Sequence, residues 1–457
     1  YSRGSASGSL VAYLTKITNM NSLMWDMSFE RFMNPLRQGL ADIDLDIQPS
    51  RRQEARGWFF NHPQLNSSDI LTFGTVAYKG ACDTIIRTSE LTKQQGEQLK
   101  EMYADIRTEF ELSDSDLFRE KLPIEIDELA KRMGDYGDLI RKVVLLEGCI
   151  VSIGSHPAGV LVTDLDIRRK IGVITMEDKD TGEYKLVSQC DMKELDAMGY
   201  VKADALGLST VGAIKRTVDY LGIEFPNPQN FNFHDGKVWE DIKKSPCMIF
   251  QFEENKAHEY MKTALDYVEV DKKLHTMSMM SGLIRPSGKS IRDRFLKGKV
   301  GDNGHPEIDK AFPNTSGFCV YQEDIIKFLS LFCGYDYAKA DNIRKKIAKK
   351  ASDEVFKPII NEIDMDFRNY FPTKYTTTDE QLDNVIKSFL EIVANSQKYG
   401  FSYNHALPYT MYGYIGAYYR YHNTIEYCTA NLNEFHDKPD KLKEIYHFIN
   451  NFTEIKI

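Results

Sequence analysis

Between Gly39 and Ile47 the chain reads Gly-Leu-Ala-Asp-Ile-Asp-Leu-Asp-Ile, so three carboxylates alternate strictly with Ile43, Leu45 and Ile47. A period of two belongs to the strand, in which successive side chains point to opposite faces. Such a strand buries Ile43, Leu45 and Ile47 and lines up Asp42, Asp44 and Asp46 on its other face, alternate Cα atoms lying roughly 6–7 Å apart. Strands normally avoid Asp, and like charges on one face repel. Two arrangements make the pattern tolerable. Either the acidic face binds hard cations, carboxylate oxygens at this spacing suiting Mg²⁺, or it is a solvated edge whose charges discourage edge pairing. Two such ions about 3.5–4 Å apart are the usual device for in-line phosphoryl transfer.

A chain of 457 residues exceeds one ordinary core and implies two to four domains. Its 42% hydrophobic and 27% charged residues are globular in balance, and no apolar run approaches the eighteen or so residues that span a bilayer, so a soluble protein is expected. The start, Tyr1-Ser2-Arg3-Gly4, has no initiator Met, basic n-region or apolar h-region, and reads as a chain cut from a larger one. Seven scattered cysteines, odd in number and never spaced CxxC, argue against a disulfide framework and a zinc site and favour a reducing cytosol. The net charge of −9 does not advertise a nucleic-acid binder, but local basic clusters decide that question.

Read in order, Arg3 to Leu14 sets small residues before an amphipathic helix with Leu10, Val11, Leu14 and Ile17 on its apolar face. A Gly/Ser turn there is either an ordinary cap or, with Arg3 adding charge, a phosphate cradle of backbone N–H groups. Phe29 to Pro35 reads as a helix end broken by proline, and Leu71 to Thr75 as a short strand and turn before a helix with Lys79 and Arg87. Residues 89–149 are helical and strongly charged, a separate small lobe. Cys149 to Val162 reads as two apolar runs around a polar turn at His156. Asp204 sits among Ala and apolar residues in what reads as a buried strand, a place that is expensive for a charge unless it is paired or bound to metal, which makes it the natural third carboxylate. Arg285 and Lys289 lie in a Gly/Pro loop suited to phosphate. Five of the eleven residues from Ala340 to Lys350 are basic, giving a polyanion contact or a solvated face. The aromatic stripe from Tyr403 to Tyr427 is read as helix packing. Phe328-Leu329-Ser330-Leu331-Phe332, which looks like a clamp-binding peptide, is read as core.

With these pieces in order, the chain resembles the bacterial C-family replicative DNA polymerases, the DNA polymerase III alpha subunits. The resemblance rests on RGSASGSLVAYLTKIT, FERFMNP, ADIDLDI, LTFGTVAYK, GSHPAGVLV, VKADALGL, FQFEE, LIRPSG, VYQEDI, GYDYAKADNIRKKIAKK and YNHALPYTMYGY, which fall in the family's order. It implies an α/β palm similar to the Pol β-type nucleotidyltransferase fold, with a helical thumb insertion and large, mostly α-helical fingers. The boundaries expected are palm at 1–88 and 150–210, thumb at 89–149, fingers at 211–435 and a C-terminal tail at 436–457.

The resemblance further implies catalytic, metal-binding roles for Asp42, Asp44 and Asp204, with two Mg²⁺ ions, Mn²⁺ being the alternative. It implies nucleotide-binding roles for Arg3, Gly4, Ser5, Gly8, Ser9, Arg285, Lys289 and Arg344. DNA contacts are expected at Lys79, His156, Lys345, Lys349 and Lys350, and Asp46 is read as supporting. The function implied is template-directed transfer of a nucleotide from a dNTP to a primer 3′-hydroxyl in the cytoplasm. The partners are primer–template DNA, dNTP and other replisome subunits or a missing N-terminal portion, with no membrane. Family members commonly carry Lys at Ser155, Arg at Asp83 and Ala at Pro408. On this resemblance the family's N-terminal PHP domain and first part of the palm are expected to be absent from this sequence, as are an exonuclease insertion and the helix-hairpin-helix, clamp-binding and OB regions. The competing expectation is a polymerase portion that binds DNA or a partner and needs a second chain for catalysis.

Overall fold

The alternating acidic segment is extended, as its period requires: Ile43–Ile47 forms a strand. The computed structural model describes residues 3–36, 43–110, 112, 117–121, 123–178, 182–285, 288–348, 353–399 and 401–455. Asp42, Lys349 and Lys350 lie outside the described residues. In chain order the strands are β1 (Ile43–Ile47), β2 (Asn66–Thr75), β3 (Ile150–Thr163), β4 (Val173–Glu177), β5 (Tyr184–Asp191) and β6 (Val201–Gly207). With many helices around them, the architecture is mixed α/β. The chain divides into two compact units, Tyr1–His62 with Val201–Ile457, and Pro63–Tyr200. Among the described residues no helix is long and apolar enough to cross a membrane.

In the first unit β1 pairs in parallel with β6, and the register sets Asp44 beside Asp204 and Asp46 beside Leu206. The helix Tyr403–His422 is buried on nearly every side, as a helix without a polar face must be. Its Tyr412 and Tyr414 join Trp239, Phe252 and Tyr427 in a core that also takes Met277 and Met280. Arg420 reaches that core only because its donors are used: Nε donates to Asp241 Oδ2 at 2.9 Å, Nη1 to the carbonyls of Ser245 at 3.0 Å and Cys247 at 2.5 Å, and Nη2 to the Asp241 carbonyl at 2.7 Å. A second core gathers the helices Gln322–Cys333, Tyr337–Ala348, Asp353–Tyr370 and Asp379–Tyr399. Phe328, Leu329 and Phe332 are buried in it, Phe328 stacking on Phe389 at 4.0 Å.

Two local expectations change in this unit. The N-terminal helix is only Leu10–Leu14, and Val11, Leu14 and Ile17 are exposed; Lys16, at φ 62°, turns the chain out of helical geometry. Phe29 to Pro35 forms turns: the Asn34 amide donates to the Glu30 carbonyl at 3.2 Å, an acceptor that a continuing helix would use, and to the Asp341 carboxylate at 2.9 Å.

The second unit holds a four-stranded sheet. β2 is antiparallel to β3 and parallel to β5, and β4 closes antiparallel on β5. The polar turn expected at His156 is a bulge inside the continuous β3: Asp69 faces Val160 while Leu71 faces Ser155, so the residues between Ser155 and Val160 loop out of register. Pro157 has no N–H for the ladder, and His156 Nδ1 accepts the N–H groups of Ala158 at 3.3 Å and Gly159 at 2.6 Å. Beside the sheet, the helices Tyr78–Arg87, Lys93–Glu109, Ile126–Arg132 and Gly137–Leu146 share a core of Leu99, Tyr103, Leu129, Ile140 and Val143. At its heart, buried Glu147 receives Arg107 Nη1 at 2.7 Å, the Tyr103 hydroxyl at 2.8 Å and the Phe118 N–H at 3.1 Å.

Candidate active site

Strand pairing brings the acidic face together. Asp44 and Asp204 stand at the same register on adjacent parallel strands, where neighbouring backbones lie about 4.8 Å apart. Asp204 is only 5% exposed; Lys202 Nζ pairs with its Oδ2 at 2.5 Å, and its Oδ1 is buried without a hydrogen-bond partner. A buried carboxylate oxygen left unmatched costs on the order of 1–3 kcal/mol or more, which a cation recovers. Among the described residues no three His, Cys, Asp or Glu side chains converge as a metal site. The pair Asp44 and Asp204 nevertheless fits a hard divalent ion, since both offer carboxylate oxygens from one strand register and one of those oxygens is orphaned.

The Gly/Ser segment packs over this pair. Gly4–Gly8 is a short 3-10 helix, not an open loop, and Gly4 takes φ 65°. A Cβ on Gly4 would stand 3.3 Å from Asp44 Oδ2, so the glycine's bare face abuts that carboxylate. Gly8 is pinned more tightly, a Cβ there lying 2.2 Å from the Ser28 carbonyl oxygen and 2.5 Å from Asn404 Nδ2. The Ser7 hydroxyl donates to the Asn404 carbonyl, and Ser9 Oγ accepts the Ala12 N–H at 3.1 Å, capping the next helix. Gly8 and Ser9 are therefore buried supports, while Arg3, Gly4 and Ser5 remain partly accessible.

Helix Tyr403–His422 supplies the other wall. His405 Nδ1 accepts the Gly4 N–H at 3.2 Å, and burial, with Arg3 and Arg285 nearby, lowers its pKa to about 4, keeping the ring neutral. Tyr409 donates its hydroxyl to Asp46 Oδ1 at 3.4 Å and accepts from Arg3 Nε, which also stands 3.5 Å from Asp46. Burial raises the pKa of Asp46 above the ordinary carboxylate value, against the opposing pull of Arg3. Arg285, exposed, lies with its guanidinium 4.5 Å from the Phe401 ring centroid.

The expected residues thus fall into groups. Arg3, Gly4, Asp44 and Asp204 are assembled around β1 and β6, with Arg285 near enough to His405 to influence its titration. Lys289 is exposed at the start of the helix Lys289–Phe295. Arg344 is buried, its Nε donating to Asp341 at 2.9 Å and its Nη1 to Gln322 at 2.8 Å, and Lys345 pairs with the same Asp341 at 2.8 Å. Lys79 is exposed in the second unit, where His156 also lies. A cavity of about 400 Å³ lined by Phe29, Phe312, Tyr321 and Tyr403 contains none of the expected residues.

The sequence reading missed Lys202, His405 and Tyr409. Lys202 carried a signal, standing two residues before Asp204 and hence on the same strand face. So did His405 and Tyr409, at i,i+4 on one helix face, although a stripe of tyrosines hid them.

Comparison with known proteins gives a consistent result. Residues 1–207 match the family model described as the bacterial DNA polymerase III alpha NTPase domain, and residues 210–363 match that of the bacterial DNA polymerase III alpha subunit finger domain. Among relatives, the chain is 26% identical over 453 residues to a DNA polymerase III subunit alpha of Borreliella burgdorferi, covering 96% of this chain and 37% of that protein. With the Ureaplasma parvum subunit it shares 28% identity over 451 residues, 96% of this chain and 43% of the relative. The corresponding figures for Halalkalibacterium halodurans are 26% over 465 residues, 97% and 38%. The chain therefore spans about two fifths of the length of the curated relatives it matches.

Proposed function

The chain belongs to the bacterial DNA polymerase III alpha family, and from that premise we propose that it carries a template-directed DNA polymerase site that transfers a nucleotide from a dNTP to a primer 3′-hydroxyl. One observation carries the reading: Asp44 and Asp204 share a register on parallel strands, and Asp204 keeps an orphaned buried oxygen.

Asp44 and Asp204, with Asp42, are the residues that would hold Mg²⁺ or Mn²⁺. A divalent pair bound there supplies activation of a hydroxyl and neutralisation of charge at phosphate. The protein's own part is positioning and electrostatics. Arg3 and Arg285 offer guanidinium forks to the phosphates of the incoming nucleotide, a geometry that suits bidentate pairing. Gly4 lets the backbone approach that region without a side chain. Neutral His405 holds the Gly4 N–H through Nδ1, fixing where the turn stands against β1. Lys202 balances Asp204, limiting repulsion within the carboxylate cluster.

On this reading the palm comprises 1–88 and 150–210 and follows the Pol β-type nucleotidyltransferase plan. The thumb is 89–149, the fingers are 211–435 and 436–457 is a tail. Primer–template DNA, dNTP and further replisome subunits are the partners, in the cytoplasm. Lys79, His156, Lys345, Lys349 and Lys350 are proposed DNA contacts. Gly8 and Ser9 act from beneath the nucleotide and Arg344 through the fold of the fingers, while Ser5 and Lys289 face the nucleotide.

Extension of a labelled primer–template by the purified chain tests the reading. Asp44→Asn and Asp204→Asn should each lower extension by about a thousandfold or more while primer–template binding stays within about twofold, because a lost metal ligand removes transition-state stabilisation and not duplex contacts. Normal extension by either variant would sink the assignment. Binding without extension by the parent chain would instead mark a portion whose site is completed elsewhere.

A further inference from the structure

Asp46 is the carboxylate of β1 to which the polymerase reading gives a supporting part without saying what it supports. Its side chain is 0% exposed, Oδ1 faces Arg3 and Tyr409, and Oδ2 is buried with no hydrogen-bond partner. A half-satisfied buried carboxylate is a poor device for stability, since an apolar residue of similar volume is often neutral or better there. What Asp46 does achieve is geometric. Together with the Tyr409 hydroxyl it grips Arg3 at Nε, the guanidinium nitrogen nearest the stem. One turn earlier on the same helix, His405 grips the next residue, Gly4, through its backbone N–H, and the His405 and Tyr409 rings lie 4.3 Å apart.

We propose that Asp46 and Tyr409 are positioning residues that fix Arg3, and with it the Gly4–Ser9 turn, in the orientation that receives the phosphates of a nucleoside triphosphate. The proposal rests on the polymerase reading for its ligand. The grip itself is a property of three segments brought together from residues 3–4, 46 and 405–409. Neither residue touches the reacting atoms; both act through Arg3.

Tyr409→Phe removes one hydroxyl and leaves the ring in its packing place. In single-nucleotide incorporation, KM for dNTP should rise about tenfold, the scale of one lost hydrogen bond to a charged group, with kcat within about twofold and primer–template affinity unchanged. Because the residues act in series, Tyr409→Phe added to Arg3→Lys should raise KM by less than about twofold more. Asp46→Asn, which keeps size and one acceptor, should fall between parent and Tyr409→Phe. A fall in kcat at constant KM, or fully additive effects, overturns the proposal. If the parent chain extends no primer, the polymerase reading fails by itself. Hydrogen–deuterium exchange then decides the positioning role: amides of Gly4–Ser9 should exchange about tenfold faster in Tyr409→Phe, and unchanged exchange there overturns it.

Discussion

Replacing Gly4 by alanine probes a close approach of backbone to carboxylate in the candidate site. Gly4 sits at φ 65°, a left-handed conformation that costs an L-residue about 1–2 kcal/mol, and its Cβ would meet Asp44 Oδ2 at 3.3 Å. For a cooperative unit as large as Tyr1–His62 with Val201–Ile457, that strain should lower Tm by roughly 2–4 °C, leaving the protein fully folded at 25 °C. Activity should fall further than stability implies. The carboxylate must yield by a few tenths of an ångström, and since a 1 Å misplacement costs about a hundredfold, kcat for extension should drop about tenfold. Gly4→Asn separates the two effects, because asparagine tolerates the left-handed region while still carrying the Cβ: it should melt closer to the parent yet extend as slowly as Gly4→Ala. Paired thermal melts and single-turnover extension measure both. Should Gly4→Ala keep kcat within about twofold while its Tm falls, the contact with Asp44 has no bearing on catalysis and the argument fails.

Two further outcomes follow from side chains of the helix Tyr403–His422. Arg420→Met should destabilise the first unit by about 3–5 kcal/mol in denaturant unfolding, because it removes the partner of Asp241 Oδ2 and of the carbonyls that the guanidinium satisfied, leaving Asp241 only Lys244 at 3.5 Å; a loss under about 1 kcal/mol would contradict the described network. His405 is neutral in the fold and its pKa is lowered to about 4, so it opposes folding once the unfolded chain binds its proton. Stability tied to it is complete above the unfolded value near 6.5, declines as pH falls toward 4, and amounts to a loss of about 2 kcal/mol by pH 5. In His405→Gln this part of the pH dependence should vanish, and an unaltered slope of unfolding free energy against pH between 4 and 6.5 would refute the assignment.

What could be read from sequence alone was local. The strand at Ile43–Ile47 was legible because alternation has no other regular solution, and Asp204 because a charge among alanines must have a partner. The extent of the first helix was not legible, since nothing in the residue types around Lys16 announces a positive φ. Arg344 shows the opposite failure: five basic residues among eleven read as a polyanion contact or a solvated face, both outward, yet Asp341 three positions earlier draws Arg344 inside. His405 and Tyr409 were recognisable as a helical pair, but their partners, Gly4, Arg3 and Asp46, stand more than three hundred residues away, and no periodicity reports a contact of that kind.

That separation also has a consequence for biogenesis. The Gly4 N–H and His405 are 401 positions apart. At ribosomal speeds of about 5–20 residues per second, the Gly4–Gly8 turn waits roughly 20–80 s before its receiving helix has been synthesised. For that interval the nascent chain holds its acidic strand without the wall that His405 and Tyr409 supply. The contacts of His405 and Tyr409 with Arg3, Gly4 and Asp46 therefore form only once residues 403–422 have been made.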